Sequence, residues 1–197
     1  MFNKRVYLAL TMMIGLILIV SAAAAAETTK FKTDFMEGSF VGDVDLEYNE
    51  KGMMSSYVDD KNGITYNIST VDDTDSLMKI YKSQGVSNPT KVTLNGNDWK
   101  IYFADAVPDT SNKKSDLMNI IICQSQGKKQ GYLIYVIIDS DSNNVGPGID
   151  TNSETYLKFV EPLLKSITLK KTNNIPKINE EFGLSEEEFQ NQLDQLD

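Results

Sequence analysis

The feature that most constrains this fold is a pair of nearly continuous apolar runs, Ile120-Ile121-Ile122 and Leu133 to Ile138, joined through Gln126-Gly127-Lys128-Lys129-Gln130-Gly131. Runs with no polar alternation suit strands covered on both faces, so Leu117 to Cys123 and Tyr132 to Ile138 are predicted to pair at the centre of a sheet. The flanking sequence extends that sheet. Val44, Leu46 and Tyr48 alternate with Asp45, Glu47 and Asn49, the period-two pattern of a half-buried strand. Glu50-Lys51-Gly52 reads as a turn. Met53 to Val58 and Ile64 to Val71 then form a hairpin across Asp59-Asp60-Lys61-Asn62-Gly63, because an Asn-Gly pair tolerates positive φ. A second tight turn, Asn95-Gly96-Asn97, leads from Val92 and Leu94 to a strand in which Trp99, Ile101 and Phe103 alternate with Lys100, Tyr102 and Ala104.

Elsewhere the period changes. Asp72 to Gln84 places Leu77, Met78, Ile80 and Tyr81 on one helical face, with Asp72 to Asp75 at its N-terminal turn and Gly85 as its stop. Pro108 to Asp116 is a polar loop. Ser153 to Lys165 is a second helix, with Tyr156, Phe159, Val160, Leu163 and Leu164 on one side and Pro162 set to kink or shorten it. Thr28 to Val41 enters the domain as a short strand or turn, and Ile167 with Leu169 makes a closing strand. The fold class is therefore α+β: a mostly antiparallel sheet of about seven strands packed with two main helices, plus a short C-terminal helix.

The chain divides into three parts. Residues 1–26 hold the cationic head Lys4-Arg5, the apolar run Val6 to Val20, and small residues Ser21 to Ala26. That grammar is a secretory signal peptide, with the cut after Ala26, where Ala24 and Ala26 fill the small-residue positions. The same stretch, Val6 to Ala26, would span roughly 31 Å as a helix, enough for an uncleaved membrane anchor. Either reading sends residues 27–170, the globular domain, outside the cytoplasm, with membrane contact only through residues 6–26 if the segment is kept. Residues 171–197 form a linker and an acidic helix in which Ser185 and Glu188 make a capping box and Phe189, Leu193 and Leu196 share a face.

Charge and chemistry exclude whole classes. After residue 26 there are 17 basic and 28 acidic residues, a net charge of −11, which repels phosphate backbones and argues against nucleic-acid binding. Histidine is absent, removing the commonest general base, the commonest metal ligand and every Ser-His or Cys-His nucleophile. Cys123 is the only cysteine, so no intrachain disulfide forms. Following three isoleucines, it reads as a small core residue.

Asp139, Asp141, Asn143 and Asp150 are the candidate metal ligands. Oxygen donors at positions one, three and five of a loop, with a carboxylate at twelve, suit Ca²⁺. Asn144 stands where the sharp-turn glycine of such loops belongs, Asp150 is shorter than the usual bidentate glutamate, and a strand precedes the loop. A solvated strand-to-helix loop is the plainer reading. Asn67-Ile68-Ser69 is a glycosylation sequon within a strand.

The order of elements resembles the PsbP-like family of α+β sandwich domains. The resemblance is carried by the strand pair before Asp72, the helix Asp72 to Gln84, the Leu94-Asn95-Gly96-Asn97-Asp98-Trp99 turn, and the late helix from Tyr156 running into Ser166-Ile167. It covers Phe35 to Leu169 as a match of pattern and transfers no functional residue. It implies a domain without catalytic activity that binds other proteins, some relatives doing so at membrane surfaces. The sequence thus leads to a non-catalytic extracytoplasmic domain, needing no cofactor, that contacts another protein of the envelope or surface. A Ca²⁺- or small-ligand-binding module using Asp139 to Asp150 is the alternative, and a carboxylate hydrolase stands third.

Overall fold

The computed structural model describes residues 27–50, 52–83, 85–106 and 117–196. The targeting segment 1–26, Lys51 of the first turn, Gln84 at the end of the first helix and the loop Pro108 to Asp116 lie outside the described residues.

Seven strands make the main sheet, in the order β3 (Asp45–Glu50), β4 (Met54–Asp59), β5 (Ile64–Val71), β9 (Gly131–Ile138), β8 (Met118–Gln126), β7 (Asn97–Ala106) and β6 (Thr90–Leu94). Every neighbouring pair is antiparallel. The two apolar runs sit near the middle, and both faces of β8 and β9 are largely buried. The hairpins fall where the turn residues place them. Leu94 pairs with Asn97, and Asn95 and Gly96 between them have φ of 50° and 75°, the double positive φ that a two-residue turn of this hand demands. At the β4–β5 turn only Gly63 takes positive φ, at 60°; Asn62 instead donates its backbone and side-chain N–H groups to the Asp59 carboxylate at 3.0 and 2.8 Å.

The segment before Val41 is more than one strand. β1 (Thr28–Lys32) and β2 (Met36–Val41) form an antiparallel hairpin, and β10 (Thr168–Leu169) joins the other side of β2 to complete a separate three-stranded sheet. The closing strand therefore ends the small sheet, not the large one. Phe31, Met36 and Phe40 of this sheet, with Phe35 of its turn, are buried against Tyr57, Tyr66, Trp99, Ile101, Cys123 and Val136 of the main one. The scattered spacing of those four apolar residues hid the strands, because a tight hairpin resets the alternation at Thr33 and Asp34.

The late helix fills the same core. A π-helical turn, Tyr156–Val160, runs into α2 (Glu161–Ser166), after α1 (Thr74–Ser83) earlier in the chain. Pro162 has no N–H to return to the carbonyl four residues back. The helix widens there, and the Glu161 N–H reaches Tyr156 O across five residues. Tyr156, Phe159, Val160, Leu163 and Leu164 are all buried; at about 1.5–3 kcal/mol for each large apolar side chain, they make this helix a main contributor to stability.

The opposite face of the main sheet carries a smaller cluster. Leu77 and Met78 of α1 pack with Val71, Tyr102, Ile122 and Leu133. The C-terminal stretch docks here too: α3 (Ile178–Glu181) and α4 (Glu186–Asp194) bury Ile178, Phe189 and Leu193 in this cluster. The Ser185–Glu188 capping box is present. The stretch read as a linker is pinned by Asp72, whose N–H donates to Pro176 O at 3.0 Å and whose carboxylate accepts from the Ile178 N–H at 2.9 Å.

One expectation fails at the edge. Val44 is buried, but Leu46 and Tyr48 are 55% and 49% exposed, and all six residues of β3 are exposed. The register shifts between Leu46 and Tyr48, so Leu46 opposes Tyr57 while Tyr48 opposes Ser56. A bulge at Glu47 breaks the alternation and turns the two apolar side chains toward opposite faces.

Candidate functional site

The predicted metal loop is held by the residues between its carboxylates. The Ser142 hydroxyl donates to Asn62 O, and Asn144 Nδ2 donates to the same carbonyl at 3.0 Å. The Asn144 carbonyl accepts from the Thr155 hydroxyl at 2.8 Å, and Gly146 N–H donates to Asn119 Oδ1 at 2.8 Å. Asn144, which the loop pattern marks as a departure, thus joins Ser142 in tying the loop to the β4–β5 turn. Asp139 is half-buried; that burial, and then the Asp141 charge, push its carboxyl above the usual range. Asp141 and Asn143 are exposed. Asp150 accepts from the Asn152 N–H at 2.8 Å, a local turn ahead of the helix. Among the described residues no three carboxylate or thiol side chains are grouped to hold an ion.

The acids at the start of α1 each have a separate task. Asp73 caps the helix, accepting from the N–H groups of Asp75 and Ser76 at 3.0 and 3.1 Å. Asp72 fastens the C-terminal stretch, as above. Asp75 accepts from Lys100 Nζ and Gln124 Nε2, both at 2.6 Å. Partial burial raises its carboxyl, but the hydrogen bonds from Lys100 and Gln124 and the Lys100 charge outweigh that and hold it below the usual range.

These contacts belong to a buried polar network that sequence reading missed. Gln124 is fully buried on β8; its Oε1 accepts from the Tyr102 hydroxyl at 2.8 Å, and its Nε2 also reaches Thr74 Oγ1 at 2.9 Å. Gln126 Oε1 accepts from the Thr74 N–H and hydroxyl. Burial, then the Asp75 charge, push the Tyr102 phenol up to about 12. The only signal was a pair of glutamines at alternate positions at the end of a central strand with a long apolar run. A cleft of about 480 Å³ lies beside the network, lined by Asp75, Lys91, Thr93, Asp98, Lys100 and Gln126 among others. Its carboxylates already have partners, Lys100 for Asp75 and the Thr93 hydroxyl for Asp98 at 2.7 Å. The arrangement docks a helix on a sheet.

The remaining sequence candidates lie apart from the cleft or serve packing. Cys123 is fully buried, and burial pushes its thiol up. Trp99 and Tyr102 are buried on opposite sides of β7, in different clusters, with Phe103 packed against the Trp99 cluster, and Trp99 also borders the cleft. Asn67 sits within the sheet between Ser56 and Tyr135.

The surface feature that stands out is β3. It ends the main sheet, and no described strand pairs with its outer side. Its Leu46 and Tyr48 are the most exposed large apolar side chains among the described residues. Asp45, Glu47 and Glu50 lie on the same strand.

No family model and no curated protein matches the chain. Among solved structures it is similar to a protein from Bacteroides thetaiotaomicron, determined at 1.50 Å resolution, with 8% identity and a TM-score of 0.48. The match covers 74% of this chain and 49% of that one, so the chain spans about half the length of that structure.

Proposed function

We propose that this chain is a non-catalytic extracytoplasmic domain, exported or membrane-anchored through residues 1–26, that holds another protein of the envelope or surface. The observation that supports the reading is the edge strand β3, whose outer side has no partner among the described strands and which bears Leu46 and Tyr48 in solvent. A sheet edge is a ready template for pairing with another chain, and the acids and bulge of β3 restrict which chain that can be. Support for a non-catalytic role comes from the absence of histidine, the inert burial of Cys123, and a cleft whose carboxylates are already partnered. Support for the compartment comes from Lys4-Arg5, the apolar run behind it and the small residues before Glu27. No described helix is long and apolar enough to cross a membrane. The PsbP-like resemblance agrees with a protein-binding role.

The test is cell fractionation with N-terminal sequencing, followed by affinity capture from the envelope fraction. A start at Glu27 means release and an intact Met1 means an anchor. Recovery of the chain in the cytoplasm, or capture of no specific protein, would contradict the proposal.

A further inference from the structure

We infer that β3 is the docking edge for an extended, Lys/Arg-bearing segment of a partner protein, which adds to the main sheet as an eighth strand. This rests on the partner-binding reading above and names its surface and chemistry. Backbone pairing supplies affinity in such strand addition, and side chains at alternate positions select the sequence.

Three features of β3 define the occupant. Its outer backbone groups have no partner among the described strands. Asp45, Glu47 and Glu50 give it a charge that a basic strand would neutralise, since opposite charges across a strand pair are favourable and like charges are not. Leu46 and Tyr48 flank the bulge on opposite faces, so an incoming strand would gain apolar contact above and below the sheet.

The same features weigh against a second copy of this chain. Two β3 strands laid edge to edge would set Asp45, Glu47 and Glu50 against their own kind, in a molecule already at −11 beyond residue 26. The bulge at Glu47 adds to that protection, as bulges do at sheet edges. The edge is guarded against its own kind and open to a basic strand.

The probe is a fluorescently labelled peptide of β3's length alternating lysine and valine, titrated into the purified full-length chain, with a glutamate–valine peptide as comparison. The lysine peptide should bind, more weakly as salt rises, and the glutamate peptide should not. Hydrogen exchange should show new amide protection at 45–50. Glu47→Lys should weaken binding about tenfold. Glu154→Lys, an equal charge reversal at an exposed residue remote from β3 in sequence, should leave it near wild type. Equal weakening by both variants, protection confined to other elements, or no binding at millimolar peptide would overturn the assignment. So would protection of 45–50 that appears without peptide and grows with protein concentration, which would make the occupant a second copy. If the peptide fails while envelope capture still recovers a specific protein, the docking mode is wrong and partner binding stands. If capture recovers nothing, the reading beneath it falls as well.

Discussion

Strands β8 and β3 belong to one sheet, yet the chain invests in them differently. β8 is buried on both faces, by the large core on one side and by the helices α1 and α4 on the other. Of its polar residues, Asn119, Gln124 and Gln126 have side-chain hydrogen-bond partners. β3 buries none of its residues and leaves two large apolar groups in water. The difference teaches that packing fixes the fold at the centre, while the edge is free to vary in chemistry without cost to the core.

Substitutions should separate the two regions sharply. Phe40, fully buried, stacks on Phe31 and meets Tyr66 at a tilt, with centroids 4.7 Å away in each case. Phe40→Ala should cost about 3–5 kcal/mol in chemical denaturation. Gln124→Ala removes the hub that joins Tyr102, Thr74 and Asp75, and should cost about 1–3 kcal/mol by leaving buried partners unpaired. Leu46→Ser should stay within about 0.5 kcal/mol of wild type, as surface changes do. A large loss at Leu46 would break the comparison, because it would mean that the edge is covered.

A pH series sharpens the middle case. The Asp75 carboxyl is held below its ordinary value in the folded state, so its contribution is present above the unfolded carboxylate pKa and is lost as pH falls through the lower folded value. The wild type should therefore lose denaturant resistance on acidification below about pH 4, and Asp75→Asn should lose less over the same range. The effect is small, because the pair is half exposed to solvent. An identical slope in both proteins would remove Asp75 from the account.

Much of the architecture was legible, and the reasons are local. Asn95-Gly96 encodes its turn through φ, and Ser185 with Glu188 encodes a helix start through side chains three residues apart. The continuous run at Ile120 to Ile122 marks a strand covered on both faces. What failed to show depends on distant partners. Phe31 and Phe40 reveal a second sheet only when β10, more than a hundred residues later, closes against β2. Leu46 and Tyr48 carry a half-buried pattern, but alternation does not say whether a strand has a neighbour or a bulge. The Thr74–Gln124–Gln126 network joins residues some fifty positions apart, and glutamine in a strand carries no mark of its partner. The spacing of Asp139, Asp141, Asn143 and Asp150 was visible, but the bonds from Ser142 and Asn144 to the β4–β5 turn were not.

Tyr48 and Leu157 separate exposure from an open sheet edge. They are almost equally exposed, at 49% and 47%, but Leu157 lies on a π-helical turn with its N–H bonded to Ser153 O, whereas Tyr48 lies on the sheet edge. A photo-crosslinking residue placed at each position in intact cells compares exposure with an open edge. A specific protein adduct at position 48 and none at position 157 is the expected result. Equal adducts at both positions, or none at position 48, would contradict the account.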